Sequence, residues 1–549
     1  MKNSPLFSRK LLKGAYKKHL KPSIDAIKTL LQNTDFKINI QYIDTDTKKR
    51  SDYLANIKLL NRENLPGVNF EISIDEQIRN GGVKHMNSYG LDNELFIFSD
   101  HLVMKARSGS IRNFECSFPS VPRKLTGYLV HLETRRKTYN DSYFRICIPT
   151  GDKSIVYPAD ILDTELHLVF DVKQWDMQPS LIGVRFPSIK GMCIVLNIRG
   201  RQYHFYAVED IKSIFIDSIE KQSFDDFQKA TENILLGFGF LTARYYSGEV
   251  FTLISKDKHF KKISDISYCV KPEQISGQHQ LINPAQLFQY YRNISSESTK
   301  EKFKDFHTRF PVDVFNRLCS QLSENPVLIR AIEILVNSIS TKDPLQQGIL
   351  CSVALETITE LIADENEKTV KPIPDKKLAK SLIKKLKEVV KSEFNIPDEG
   401  GLIINSKLSD LNKPTNKSKL LFPFKHFGLF LSDLDKEILN YRNDFLHGRS
   451  PTPHQNVWQL ELIALKLHYL AGILILKYIG YSGHVMNLPF WNVFNDKEKM
   501  SHYFPINSDQ LEKIVESVKN TGDLSDDEIE TFTRAGELSN FMDDLIRIV

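Results

Sequence analysis

The chain has 549 residues, 41% of them hydrophobic and 10% aromatic, and its 73 Lys+Arg against 68 Asp+Glu leave a net charge of +5. That length accommodates three or four domains of ordinary size, and the composition excludes a disordered or fibrous chain. Six scattered cysteines without a C-x-x-C pair read as buried thiols of a reducing compartment, not as a disulfide frame or a zinc site.

Residues 5–33 carry Leu11, Leu12, Tyr16, Leu20, Ile24, Ile27, Leu30 and Leu31 at helical spacing, and the first 22 residues hold seven Lys/Arg and no acid. No unbroken apolar run follows them, so a basic helical arm (residues 1–34) is expected here in place of a secretory signal. From Phe36 the period changes to two. Ile38–Tyr42, Phe70–Ile74 and Phe144–Ile148 alternate like half-buried strands. Further strand-like runs sit at Leu95–Phe98, Gly127–Leu132, Leu166–Val172, Met192–Ile198 and Tyr203–Val208. Residues 35–222 are therefore expected to form an antiparallel β-rich domain, sandwich or barrel-like. A connector (residues 223–311) adds a buried helix, Phe227–Phe240, and a strand, Gly248–Ile254.

From Val312 onward the pattern is helical, with helices expected at 312–322, 326–339, 345–363, 375–394, 432–447 and 456–479. Asp375 is placed to cap the fourth, and Ser432-x-x-Asp435 the fifth. The stretch 395–420, rich in Asn, Pro, Gly, Ser and Lys, reads as a long loop. The charge-free apolar run Leu467–Leu476 is far short of the roughly 20 residues a membrane span needs. The fold class expected is α+β: an N-terminal antiparallel β-rich domain, then a helical domain (residues 312–485), then an acidic extension (residues 486–549). Within that extension Ser525-Asp526-Asp527-Glu528 resembles a capping box for a last helix.

The segment with chemistry is Tyr441-Arg442-Asn443-Asp444-Phe445-Leu446-His447-Gly448, an Arg-Asn-x-x-x-His pattern on the last turns of a helix that Gly448 stops. Asn443 and His447 are one turn apart on one face, and Arg442 flanks it at about 100°. An imidazole, an amide and a guanidinium at one helix end are the parts that metal-free RNA cleavage uses. The RNA supplies its 2′-hydroxyl as nucleophile, a His moves protons, and an Arg steadies the phosphorane charge. Two copies related by a two-fold axis would bring an acid and a base into one cleft. Spacing alone decides nothing: Arg79…His85, Arg199…His204 and Arg449…His454 have comparable separations. The first spans Gly81-Gly82, the second lies in a strand region, and the third spans Pro451 and Pro453.

On these residues the chain resembles the HEPN superfamily of ribonucleases, helical bundles that act as dimers. Its longer architecture, with the β-rich N-terminal part and a segment such as Glu232–Thr242, is similar to the ApeA group of bacterial anti-phage proteins. The resemblance implies a cytoplasmic, metal-independent endoribonuclease of abortive infection, with RNA (tRNA among the candidates) as substrate. It implies a homodimer through the helical domain, a phage-derived trigger at a β-rich sensor domain, no cofactor and no membrane. By the same carry-over Arg442 and His447 are catalytic and Asn443 is a supporting contact. Glu356 and Glu360, one turn apart, are candidates to orient Arg442, or are an ordinary polar edge. The alternative is a non-catalytic RNA-binding or protein-interaction module on the same bundle.

Eight lysines stand between Lys371 and Lys391 against Asp375 and Glu388, with Leu378, Leu382, Ile383, Leu386, Val389 and Val390 at helical spacing. Lys376, Lys377, Lys380, Lys384 and Lys387, with Arg449, are therefore candidate RNA contacts; a solvated Lys-rich face is the plainer reading. Residues 503–549 hold 4 basic and 11 acidic residues, a net −7, so the chain's +5 leaves +12 on residues 1–502. A tail of that sign either competes with RNA for the basic surface or is a docked solubilising element. No P-loop, Rossmann Gly-rich turn, H-E-x-x-H or paired Cys/His cluster is present.

Overall fold

The computed structural model describes helix and strand segments within residues 20–133, short segments at 158–168 and 546–548, and most of residues 139–150, 192–245, 248–271, 279–282, 309–394, 398–451 and 457–486. Most of the N-terminal arm, and the acidic extension apart from Ile546–Ile548, which pairs with His484–Met486, lie outside these residues. The chain divides into two compact units: residues 1–235, 245–274 and 309–320 in the first, and residues 236–244, 275–308 and 321–549 in the second. The class is α+β.

The first unit is built on antiparallel strands: β1 (Asp35–Ile43), β2 (Arg50–Leu60), β3 (Val68–Ser73), β4 (Leu95–Phe98), β5 (Val103–Ser117), β6 (Val121–Glu133), β7 (Tyr143–Pro149), β8 (Leu166–Leu168), β9 (Met192–Ile198), β10 (Arg201–Val208), β11 (Ser213–Ser218), β12 (Gly248–Ser255) and β13 (Asp265–Lys271). Hydrogen bonding runs β3-β2-β1-β4-β5-β6-β13-β12-β7-β11-β10-β9-β8, and β3 also pairs with β6. Strands β1–β6 thus close into a ring, which removes their edges. The long strand β6 joins the ring to the open sheet: Lys124–Leu129 pair with β3, and His131–Glu133 pair with β13. Four register shifts between β5 and β6 supply the bends a closed ring requires. The connector strand Gly248–Ile254 is β12, and with β13 it lies in this same sheet.

Strand β7 departs from the half-buried alternation expected of it, because Phe144 to Ile148 are all buried. A helix over residues 20–28 supplies Leu20, Ile27 and Ser23 to the core, and Ser23 Oγ accepts a 3.0 Å hydrogen bond from Arg145. Arg145 also donates through Nε and Nη2, each at 2.7 Å, to Asp217, its cross-strand neighbour on β11, and its guanidinium lies 4.2 Å from the Phe260 ring centroid. On helix α2 (Phe224–Thr242), Phe227 stacks on Phe144 at 5.2 Å. The residues 20–28 are numbered α1.

The second unit is helical. Its helices are α4 (Pro326–Ile339), α5 (Pro344–Glu365), α6 (Lys376–Glu393), α7 (Asp398–Ser409), α8 (Asn416–His426), α9 (Asp433–Leu446) and α10 (Val457–Tyr478), after α3 (Val312–Glu324), which runs across the division between the units. Asn325 and Asp343 cap α4 and α5, each followed by a proline whose missing N–H costs nothing at a helix start. The expected loop 395–420 instead holds α7 and the start of α8. Thr415 caps α8 by accepting the Ser418 N–H, and Leu420, Pro423 and Phe424 are buried. On α8 this burial overrides the breaker signal of Pro423. One helix among the described residues is long and apolar enough to cross a membrane, Gln459–Tyr478 within α10, and 83% of the qualifying window is buried in the protein. The described cysteines are free thiols, and four of them, Cys147, Cys193, Cys319 and Cys351, are buried.

Two histidines sit in the core of this unit. His279 and His468 meet edge to face at 4.8 Å, and Gln347 Nε2 lies 2.6 Å from His279 Nε2. Burial pushes His279 down to about 4, and burial together with His279 pushes His468 well below its ordinary value. The unfolded chain binds a proton at each near roughly pH 6.5, whereas the folded core does not, so stability rises with pH between about 4 and 6.5 and is lost as pH falls through that window. The urea midpoint is expected to decline from pH 7 to pH 4.5, with a shallower slope in His279→Gln; equal slopes would exclude the pair as the cause.

Candidate functional site

Helix α9 is fixed at both ends by local devices. Ser432 Oγ accepts the Asp435 N–H and Asp435 Oδ2 accepts the Ser432 N–H, both at 3.1 Å, a reciprocal capping box. At the other end Arg449 N–H donates to the Asp444 carbonyl at 2.7 Å and Gly448 N–H to the Phe445 carbonyl at 2.9 Å. This is a Schellman closure with Gly448 at φ +68°, the left-handed conformation that glycine adopts without a Cβ penalty. His447 is the C-cap residue, so the motif sits on the final turn of a helix whose stop is set by its own sequence.

Two contacts lodge that helix in the bundle. Lys466 Nζ on α10 lies 3.0 Å from Asp435 Oδ1, off the line of a hydrogen bond, and both side chains are less than a tenth exposed. The attraction is chiefly Coulombic, with the ammonium also 5.1 Å from the Tyr469 ring centroid. At the motif itself the fully buried Phe445 ring lies directly over Gly348 on α5, where a methyl group would overlap it.

The three motif residues do not share one environment. Asn443 and His447 are exposed, and helix geometry sets them about 6 Å apart along the axis on one face. Arg442 turns inward and is only 6% exposed. Its Nη1 donates to the Leu439 carbonyl at 3.1 Å, and its Nε lies 3.4 Å from Glu356 Oε1 without hydrogen-bond alignment. Glu356 is thus the carboxylate beside Arg442. Glu360 is not: it and Asp364 engage Lys419 at 3.3 and 3.1 Å.

The basic candidates separate into two places. Lys376, Lys377, Lys380, Lys384 and Lys387 lie on α6, which Asp375 caps, whereas Arg449 is exposed just beyond α9. On α6 the apolar residues are not all buried as their spacing suggests: Leu378, Leu382 and Val389 are 59%, 37% and 42% exposed, and Ala379 is the buried one. Between α6 and α7 lies a cleft of about 380 Å³ lined by Lys380, Lys384, Lys387, Lys391 and Asn405. Lys391 belongs to the lysine-rich helix without being among the named candidate contacts, and Asn405 escaped the sequence reading because its helix read as a loop. The Asp435–Lys466 pair left a fainter signal, a lysine inside an apolar helix. No group of His, Cys, Asp and Glu suited to a metal ion occurs among the described residues. Compared with known proteins, the chain matches no family model, no curated sequence and no solved structure.

Lys466→Met, which strands a buried carboxylate, is expected to cost about 3–5 kcal/mol in urea unfolding, and the double variant Asp435→Asn/Lys466→Met less than the sum of the singles. Gly348→Ala should cost about 1–3 kcal/mol and much less in a Phe445→Leu background; strict additivity would remove the ring from the explanation.

Proposed function

We propose that the protein is a metal-independent endoribonuclease of the HEPN type, acting in anti-phage defence as a homodimer through its helical domain. One observation carries the reading: the Arg-Asn-x-x-x-His segment occupies a capped helix end with Asn443 and His447 exposed and a buried cation beside them. In the reaction the 2′-oxygen attacks phosphorus while a base takes its proton. The bond from phosphorus to the 5′-oxygen then breaks, an acid protonates that oxygen, and a 2′,3′-cyclic phosphate and a 5′-hydroxyl result. His447 suits proton transfer because an imidazole can both accept and donate a proton through its ring nitrogens, and a second copy provides its counterpart. Asn443 provides an amide contact to the phosphate. Arg442 supplies positive charge to the phosphorane. With Nη1 bonded to the Leu439 carbonyl and Nε turned toward Glu356 without alignment, Nη2 is the edge without a partner among the described residues through which it would meet a phosphate oxygen. Glu356 acts as a positioning residue for that guanidinium. The β-rich unit is assigned the sensing of a phage-derived trigger, and tRNA is among the candidate substrates.

The rival reading, a non-catalytic RNA-binding or protein-interaction module, draws on the burial of Arg442, which on its own is a bundle contact between α9 and α5. The exposed residues discriminate, because changing them leaves the core intact. Purified protein is expected to cleave RNA in EDTA and to leave cyclic-phosphate ends, with no cleavage at a 2′-deoxy linkage. His447→Ala should lower the rate about 10²–10⁴-fold at unchanged thermal stability. Cleavage that survives in His447→Ala, or none in the wild type with any RNA tested as a dimer, gives the rival the field.

A further inference from the structure

We infer that the cleft between α6 and α7 is a docking site for the phosphate backbone of RNA, distinct from the α9 end. The choice of RNA rests on the ribonuclease reading; the phosphate-binding character stands on the cleft itself. Lys380, Lys384, Lys387 and Lys391 follow one another at steps of four, three and four residues. That spacing places them on one face of α6, in a row about 16 Å long. All four line the cleft, with Ile383 between them, Asn405 of α7 on the facing wall and Glu388 as the single acid. Glu388 neutralises little of this charge: it lies 3.8 Å from Lys384 Nζ, both side chains are more than half exposed, and such pairs are weak. Lys387 is held in place by its 2.6 Å hydrogen bond to Ser409 Oγ at the end of α7.

A row of ammonium groups in a groove, one amide and no aromatic ring, suits a phosphodiester chain and not its bases. Base recognition uses stacking platforms or bidentate Arg, Asn or Gln contacts, and the lining offers no ring, no arginine and one amide only, Asn405. Binding there is therefore blind to base sequence and strongly salt-dependent. An anionic bilayer would use α6 differently. It would take up the exposed stripe Leu378, Leu382 and Val389, on the side of the helix away from the lysine row. A groove between two helices admits a chain, whereas a flat membrane surface does not follow the lysines into it.

The test uses the full chain with His447→Ala, so that cleavage does not consume the probe, and compares it with the same chain carrying Lys→Gln at 380, 384, 387 and 391. Fluorescence anisotropy is read with single-stranded 20-mer RNAs, one oligo-uridine and one of mixed sequence, and sedimentation with vesicles containing phosphatidylserine. Expected are affinities for the two RNAs within about threefold of each other. The glutamine variant should bind more than tenfold more weakly at low salt, with its slope of log K against log salt reduced by about 3 for four lost contacts. An unchanged slope and affinity overturn the inference, as does a loss confined to vesicle binding. Cleavage by the wild-type chain is scored separately: RNA binding that needs the four lysines without cleavage sinks the ribonuclease reading alone, and cleavage with lysine-independent binding sinks the docking site alone.

Discussion

The ion pair between Asp435 and Lys466 is the constraint on which the site geometry depends. Asp435 is the third residue of α9, and its carboxylate divides its work, one oxygen closing the capping box and the other facing the ammonium on α10. Helix start and helix docking are thereby fixed by one side chain. Burying two charges costs several kcal/mol per ion before their attraction is counted, so the pair is a poor way to gain stability and a good way to specify a register. A slide of α9 by one turn would separate the charges and lift Phe445 from the bare backbone of Gly348. Cap, ion pair and ring together place the final turn at residues 443–447, and the exposed amide and imidazole follow from that placement.

Much of the helical unit was legible because helices are local objects. Asp375 and Ser432 act as the caps their spacing implied, Gly448 ends α9, and the helices over 326–339, 344–365 and 457–478 fall within a residue or two of their apolar periodicity. The misreading of 395–420 has a physical cause. Glycines and prolines raise the cost of a helix but do not forbid it, and the sequence does not announce that Leu420 and Phe424 find a core against α5. Strands β2 and β5 escaped for the opposite reason. Their sequences, RSDYLANIKLL and VMKARSGSIRNFECS, lack clean alternation, so nothing local marks them, although each pairs with the strands just before and just after it. Within the site, residue types and helix position were readable. That Arg442 points inward while Asn443 points out was not, because neighbours about 100° apart on a helix can fall on either side of a burial boundary set by the packing of α5.

The β7 strand makes the same point about depth. Its Phe-Arg-Ile-Cys-Ile pattern resembles a strand with one wet face, and a guanidinium in such a pattern is normally the wet member. Here the residues 20–28 cover that face, and Asp217 stands directly across the ladder to receive the charge. Alternation in sequence reports which faces differ, not which face meets water.

Two arginines buried among the described residues then allow a comparison that bears on function. Arg145 is fully buried, and every nitrogen of its guanidinium donates: Nε and Nη2 to Asp217 and Nη1 to Ser23, with an aromatic face alongside. Such a cation is spent on structure. Arg442 is nearly as deep, yet it has one hydrogen bond to a carbonyl and one misaligned approach to a carboxylate that is itself 45% exposed. A guanidinium whose Nε is buried without an aligned acceptor is costly, and native proteins keep such groups sparingly, above all where a ligand or a reaction supplies the missing acceptor. A phosphate brought to the end of α9 would be an acceptor of the right charge, and the forked geometry of the guanidinium matches its oxygens. The incomplete satisfaction of Arg442, set beside the complete satisfaction of Arg145 in the same chain, is therefore a physical reason to look for the chemistry at residues 442–447 and not in the sheet.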